Sequence, residues 1–138
     1  RNLETVQAIY GAFAAGDVPA ILARLHPAVG WEQWTARSAQ ADNVPWLAPR
    51  SGVEGAAAFF TLLNEALEFH EFTVLDITVS DRQAAAEVVL DSTVRATGKR
   101  VLDEEMHLWT FDDDGRVTRF RHYADTAKHN RTSTLITR

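Results

Sequence analysis

The sequence predicts an α+β fold: a cone-shaped barrel in which three N-terminal helices pack on a curved, mostly antiparallel sheet. Two observations predict it. Apolar residues recur at three- and four-residue spacing in the first half of the chain, and after Phe69 the period drops to two. Turn-forming stretches at Asp81-Arg82, Thr97-Gly98 and Asp112 to Gly115 then cut the second half into successive strands. Helices followed by a meander make an α+β domain rather than alternating βαβ units.

The first helix carries Leu3, Val6, Ile9, Tyr10 and Phe13 on one stripe, and Gly16 follows where a left-handed cap is needed. Asp17 caps a shorter second helix with Ile21, Leu22 and Leu25; Pro19 is tolerated in its first turn and Pro27 bars its continuation. A short strand is expected from Val29 to about Trp34, then a long loop over 35–50, rich in Ala, Ser, Pro and Asn. Ser51 and Glu54 form a capping box for a third helix with Ala56, Phe59, Phe60, Leu63 and Leu67 on one face. In the next strand Leu75, Ile77 and Val79 alternate with Asp76 and Thr78. Ala86, Val88, Leu90 and Val94 then alternate with Glu87, Asp91 and Arg95. Val101 to Phe111 is a long strand and Arg116 to Tyr123 the last one. Asp125 caps a short C-terminal helix. With 138 residues and neither repeat nor linker, residues 1–138 read as one domain.

Fourteen basic against nineteen acidic residues give a net charge of −5, and the basic ones are scattered, which argues against nucleic acid as a partner. The longest apolar runs, such as Ala56 to Phe60, are too short to cross a bilayer, and no charged-then-apolar leader is visible, so the chain reads as soluble with no membrane partner; a cytoplasmic location is the default expectation and is not deduced from the residues. The first residue is Arg1, so the natural N-terminus is expected to lie upstream. The absence of cysteine removes disulfides and thiolate chemistry.

The strand from Val101 has one largely aliphatic face, with Leu102, Met106 and Leu108, and one polar and aromatic face, with Asp103, Glu105, His107, Trp109 and Phe111. Either the polar face looks out and the aliphatic one forms the core, or the polar face lines a pocket and a second subunit covers the other. Exposing Trp109, Phe111 and Phe120 would be costly, and ligand cavities combine aromatic walls with a few polar groups, so the pocket is the expectation. If Asp112 to Gly115 form the turn, Phe111 faces Arg116, Trp109 faces Thr118, His107 faces Phe120 and Glu105 faces His122, opposed β-carbons lying roughly 5 Å apart.

Three stretches carry a family resemblance. They are Ile9 to Leu25 with its hinge Ala15-Gly16-Asp17, the start Ser51 to Gly55 before Phe59-Phe60, and the ending His107 to Phe111, an Asp-Gly turn and VTRFRHYADT from Val117 to Thr126. On these the chain resembles the SnoaL-like, ketosteroid-isomerase-like branch of the nuclear-transport-factor-2 superfamily. The resemblance implies a conical barrel, a deep pocket and a homodimer through the outer sheet face. It aligns Gln33 with the base of ketosteroid isomerases, Ile9 with their tyrosine and His107 with their acid; Tyr10, next to Ile9, is turned away by about 100° on a helix. Against limonene-epoxide-hydrolase relatives, Leu90, Ser92 and His122 occupy the places of an Asp-Arg-Asp arrangement. SnoaL-like polyketide cyclases use an acid/base residue in the same cavity, for which a histidine could substitute here.

His107, His122 and Glu105 are therefore the candidate catalytic residues. His122, oriented by Glu105, is the base, and His107 donates to a developing oxyanion. Trp31, Gln33, Trp46, Phe59, Leu90, Ser92, Asp103, Trp109 and Phe120 are the candidate substrate-binding residues. Trp46, late in the long loop, either lids the pocket or packs the loop down. Arg119 and Arg121 fall on the outward face, and the sequon Asn130-Arg131-Thr132 reads as a chance match. A metal held by Asp103, Glu105, His107 and His122 fits poorly, because strand residues two apart are about 7 Å from each other, so neither metal nor cofactor is expected. The expectation is a cofactor-free acid/base enzyme of the isomerase, cyclase or dehydratase type acting on an apolar, oxygenated small molecule. The alternatives are a non-catalytic ligand-binding module and a dimeric interaction domain.

Overall fold

The structure, a computed structural model, describes residues 1–32 and 44–132. Helix α1 (Asn2–Ala14) ends where Gly16, at φ 71°, lets the Asp17 N–H reach back to the Ala12 carbonyl at 2.8 Å. The Asp17 carboxylate accepts the Ala20 N–H at 3.2 Å and starts α2 (Val18–Leu22), closing the expected helical hairpin. Strand β1 spans Leu25–Trp31, four residues earlier than expected, and contains Pro27. The proline is tolerated because the register of β1 with its neighbour is interrupted between Leu25 and Gly30, where no ladder donor is required.

After a single 3-10 turn (Pro45–Leu47), the two-residue strand β2 (Arg50–Ser51) leads into α3 (Gly52–Ala66). Ser51 is the N-cap, but its side chain makes no capping bond, contrary to the capping-box expectation. Gly52 turns the chain from strand into helix at φ 74°, where a Cβ would sit 3.4 Å from the Pro27 carbonyl oxygen. Ala56, Phe59 and Phe60 form the buried face of α3.

Strands β3 (Leu67–Val79), β4 (Gln83–Val94), β5 (Arg100–Phe111) and β6 (Val117–Tyr123) follow as a meander, and α4 (Thr126–Thr132) ends the described chain. The sheet order is β2-β1-β6-β5-β4-β3, antiparallel except for the parallel β1–β6 pair. The sheet curves around the helices without closing, so the cone has two free edges rather than a sealed wall.

Strand β5 decides which face is inside. Val101, Asp103, Glu105, His107, Trp109 and Phe111 are all buried, whereas Leu102 is 59% and Met106 43% exposed. The acid- and imidazole-bearing face is the concave one.

Two registers differ from expectation. His107, not Glu105, is opposite His122, and Trp109 is opposite Phe120. The Asp112 carboxylate accepts the N–H groups of Asp114 and Arg116, so the turn tightens around Asp112 and Phe111 pairs with Val117. Thr118 is then the extra residue of a bulge, its hydroxyl bonded to the Thr110 carbonyl at 3.2 Å, which slides the rest of β6 along β5. On β3, bulges at His70 and Leu75 break the alternation. Leu75 is 54% exposed, while Val74 and Ile77 pair opposite the buried Val88 and Ala86.

Candidate functional site

Between the concave sheet face and the helices lies a cavity of about 60 Å³. That is room for on the order of a handful of waters. Its walls are aromatic. The Phe120 ring stacks 4.5 Å from Trp31 and 4.4 Å from Trp109, and Trp31 also meets Phe59 at 5.5 Å and Phe60 at 5.4 Å. Helix α1 contributes Ile9, Tyr10 and Phe13.

The polar groups gather at one end. Trp109 Nε1–H donates to the Tyr10 hydroxyl at 3.1 Å, and that hydroxyl lies 2.5 Å from His107 Nδ1. An indole nitrogen can only donate, so Tyr10 accepts from Trp109; the Glu105 carboxylate can only accept, so neutral His107 carries its proton on Nε2, 3.3 Å from Glu105 Oε1, and its Nδ1 accepts from the Tyr10 hydroxyl. Four side chains thus form one chain of bonds with a fixed direction.

His122 is held differently. Its Nδ1 lies 2.5 Å from Glu32 Oε2, its backbone N–H donates to Glu32 Oε1 at 2.7 Å, and its Nε2 stands 3.8 Å from Glu105 Oε2. Glu32 is fully buried and sits at φ 55°, just past the end of β1, with its N–H on the Phe120 carbonyl at 2.9 Å. A left-handed backbone at a non-glycine residue costs about 1 kcal/mol or more and is found where the surroundings impose it. Here it turns the carboxylate inward.

A third imidazole comes from α4. The Asp125 carboxylate accepts the Lys128 N–H and starts the helix, and His129, one turn later, is buried. Its Nε2 is 2.8 Å from Asp103 Oδ2 and 3.1 Å from Glu105 Oε2, while its Nδ1 accepts Trp46 Nε1–H at 3.1 Å. Asp103, Glu105 and His129 bring three ligand-type atoms within 4.8 Å of one another. The Trp46 indole must donate to His129 Nδ1, which puts the ring proton on Nε2. The lone pair a metal would need is occupied, and the trio is a hydrogen-bonded knot.

Burial and charge pull the titratable groups apart. Burial would raise Glu105, but His122 and the bonds from His107 and His129 outweigh it and hold the carboxyl well below the usual range. Burial depresses His107, and Glu105 only partly restores it, so this imidazole is neutral near pH 7. His122 is equally buried, yet Glu32, Glu105 and Asp103 push it up to about 9, making it an imidazolium. His129 is raised against its burial by the bonds from Asp103 and Glu105. Burial also raises Tyr10, which stays a neutral phenol.

A family model described as the SnoaL-like domain matches residues 6–120. The chain belongs to the SnoaL-like family. Solved structures share its fold. An NTF2-like protein of unknown function from Burkholderia pseudomallei is 24% identical, with 96% of this chain and 97% of that one covered and a TM-score of 0.80. A Xanthomonas campestris protein provisionally labelled a polyketide cyclase is 20% identical, with 96% of each chain covered and a TM-score of 0.73. TerC, co-crystallised with polyporic acid, is 20% identical, covering 96% of this chain and 97% of its own, with a TM-score of 0.78. No curated protein matches the chain.

Of the residues singled out in this SnoaL-like chain, Glu105, His107 and His122 lie together on the cavity, as do Trp31, Trp46, Phe59, Leu90, Trp109 and Phe120. Asp103 is buried behind the cavity on His129, and Ser92 is buried on β4 opposite Val101. Gln33 lies outside the described residues. Trp46 both lines the cavity and bonds to His129, joining the two readings of its loop.

Glu32, His129 and Tyr10 escaped sequence reasoning. Strand alternation from Trp31 sends Glu32 outward, and only its backbone reverses that. Tyr10 and Ile9 both line the cavity because the buried stripe of α1 is wide enough to hold neighbours about 100° apart. The position of His129, one turn after the expected cap Asp125, was the available signal for its inward direction.

Proposed function

We propose that the cavity binds a small apolar molecule bearing an oxygen function and moves a proton on it without a cofactor, in the manner of an isomerase, cyclase or dehydratase. The observation that carries this is the divergence of two imidazoles around one carboxylate: His122 is raised to about 9 and His107 lowered, with Glu105 beside both. Titratable neighbours pushed apart in this way are the ordinary signature of an acid and a base sharing a site.

The roles expected for the two histidines are exchanged in this reading. His122 Nε2, 3.8 Å from its nearest carboxylate oxygen, is the least tightly held proton of the cluster. It donates to the ligand oxygen and stabilises the charge that develops there. Neutral His107 is the base. As the Tyr10 hydroxyl takes a proton from the ligand, its own proton passes to His107 Nδ1, and Glu105 stabilises the resulting imidazolium. Glu32 positions His122. The aromatic walls exclude water and hold a flat or alicyclic skeleton.

The test is deuterium wash-in at the α-carbon of 2-tetralone, followed by NMR. The unaltered protein should accelerate exchange over buffer, and Tyr10→Phe and His122→Gln should each lower it on the order of a hundredfold while binding weakens far less. Exchange no faster than buffer, or undiminished in both variants, would remove the catalytic reading. A non-catalytic binding role is favoured by one observation, the complete pairing of Tyr10 and His107 among themselves and their neighbours; tight binding without exchange would identify it.

We also propose that a homodimer forms through the outer sheet face. Leu102, Met106 and Tyr123 are 59%, 43% and 44% exposed there, an apolar band that a second copy would cover.

A further inference from the structure

The wall of the cavity formed by α1, α3 and the start of β3 is thin. Phe13, Phe60, Leu63, Phe69 and Phe72 line the cavity on one side and, on the other, an open groove of about 660 Å³ between the end of α1, the outer flank of α3 and the start of β3. The groove has the size of a small-molecule site, whereas the inner chamber at about 60 Å³ is far below it. A ligand large enough to touch both the aromatic walls and His122 could enter from the groove by displacing part of this partition.

The partition is a cluster of phenyl rings. Phe13 stands at its centre, with ring centroids 5.0 Å from Phe72, 5.8 Å from Phe69 and 6.2 Å from Phe60. Phe13, Phe69 and Phe72 are only half-buried, and ring contacts hold them, Phe72 also lying 6.1 Å from the Tyr10 and His107 rings.

The sheet spends a bulge on making it. Residues 69 and 72 would face opposite sides of a regular strand. His70 is the extra residue of a bulge, so Phe69 pairs opposite Ser92 and Phe72 opposite Leu90, both inward. His70 itself turns outward and is pinned by the Thr93 hydroxyl at 2.7 Å.

We propose that Phe13, Phe69 and Phe72 form the portal between groove and cavity and set the size of the molecules the protein admits. The groove side carries Glu65 and Glu71 beside Thr61, Asn64 and His70, whereas the side chains of the partition itself are hydrocarbon. The molecules admitted are neutral and ring-bearing. This goes beyond the proposed chemistry and stands whether or not a proton moves inside.

The test is acrylamide quenching of tryptophan fluorescence in the full chain, since Trp31 and Trp109 are buried around the cavity. Phe69→Ala and Phe72→Ala should raise the quenching rate constant about threefold or more, because each opens a path that local fluctuation must otherwise provide. Phe111→Ala, an equal deletion in the core that lines neither the cavity nor the groove, should leave it nearly unchanged. Phe72→Leu, a milder change that preserves the core, should raise quenching by a smaller factor, and it serves if an alanine variant does not fold. A second arm measures association of neutral 1-pyrenol by stopped flow, expected to quicken about tenfold in the portal variants with a smaller change in affinity. Quenching that rises equally in Phe111→Ala, or not at all in the portal variants, overturns the portal. Faster quenching with no deuterium exchange on 2-tetralone leaves the portal standing and removes the catalytic reading alone.

Discussion

Replacing Glu32 by Gln tests the electrostatic account of the site most directly. Gln keeps the shape and can still accept the His122 N–H that Glu32 Oε1 now accepts at 2.7 Å, so what is lost is the charge 2.5 Å from His122 Nδ1. The difference between about 9 for His122 in the protein and its ordinary 6.5 corresponds to roughly 3 kcal/mol of folding free energy. Glu105 and Asp103 remain after the substitution, so losing the closest carboxylate should cost about 2 kcal/mol. The sign with pH follows from the direction of the shift. A histidine raised on folding stabilises fully below its unfolded value, and that stability disappears as pH rises through about 9. The penalty of Glu32→Gln should therefore be full near pH 6 and largely gone near pH 10. Urea unfolding of both proteins across that range gives the penalty, and the His122 ring resonance, followed by NMR, gives its titration. A penalty equal at both ends, or a His122 that titrates near its ordinary value in the unaltered protein, would refute the reasoning.

Tyr10→Phe should destabilise the fold by about 1–3 kcal/mol in urea unfolding, because it leaves Trp109 Nε1–H and His107 Nδ1 buried without their partner. Trp46→Phe removes the donor to His129 Nδ1 and should cost about 1 kcal/mol while letting that nitrogen take up a proton, visible as a higher His129 titration by NMR. Met106→Lys on the outer face should leave the monomer's thermal unfolding within about 0.5 kcal/mol yet shift light-scattering mass from dimer to monomer. An unaltered mass would count against the proposed interface.

The concave face was legible because β5 alternates strictly. An imidazole, an indole and two carboxylates on one parity, with aliphatic residues on the other, leave a single arrangement that buries the aromatics. The facing of individual residues was less legible, because an extra residue in one strand changes the pairing without leaving a pattern of its own. Thr118 moved His122 from Glu105 to His107, and His70 and Leu75 reversed parts of β3. Glu32 was hidden by a single backbone angle beyond the end of a strand, a choice settled by what Phe120 and His122 offer it from across the sheet. His129 depended on the docking of α4, a tertiary outcome for which its spacing from Asp125 was the local hint.

The parallel pairing of β1 with β6 sets the timing of assembly. Glu32 and His122 are separated by 90 residues, so this ladder and the buried Glu32–His122 pair form only after nearly the whole chain exists. During synthesis at about 5–20 residues per second, the N-terminal segment waits on the order of ten seconds for its partner strand, with Trp31 and the β1 edge uncovered. That interval is when chaperones would meet this protein, and a chain stopped before residue 117 would expose the same edge indefinitely.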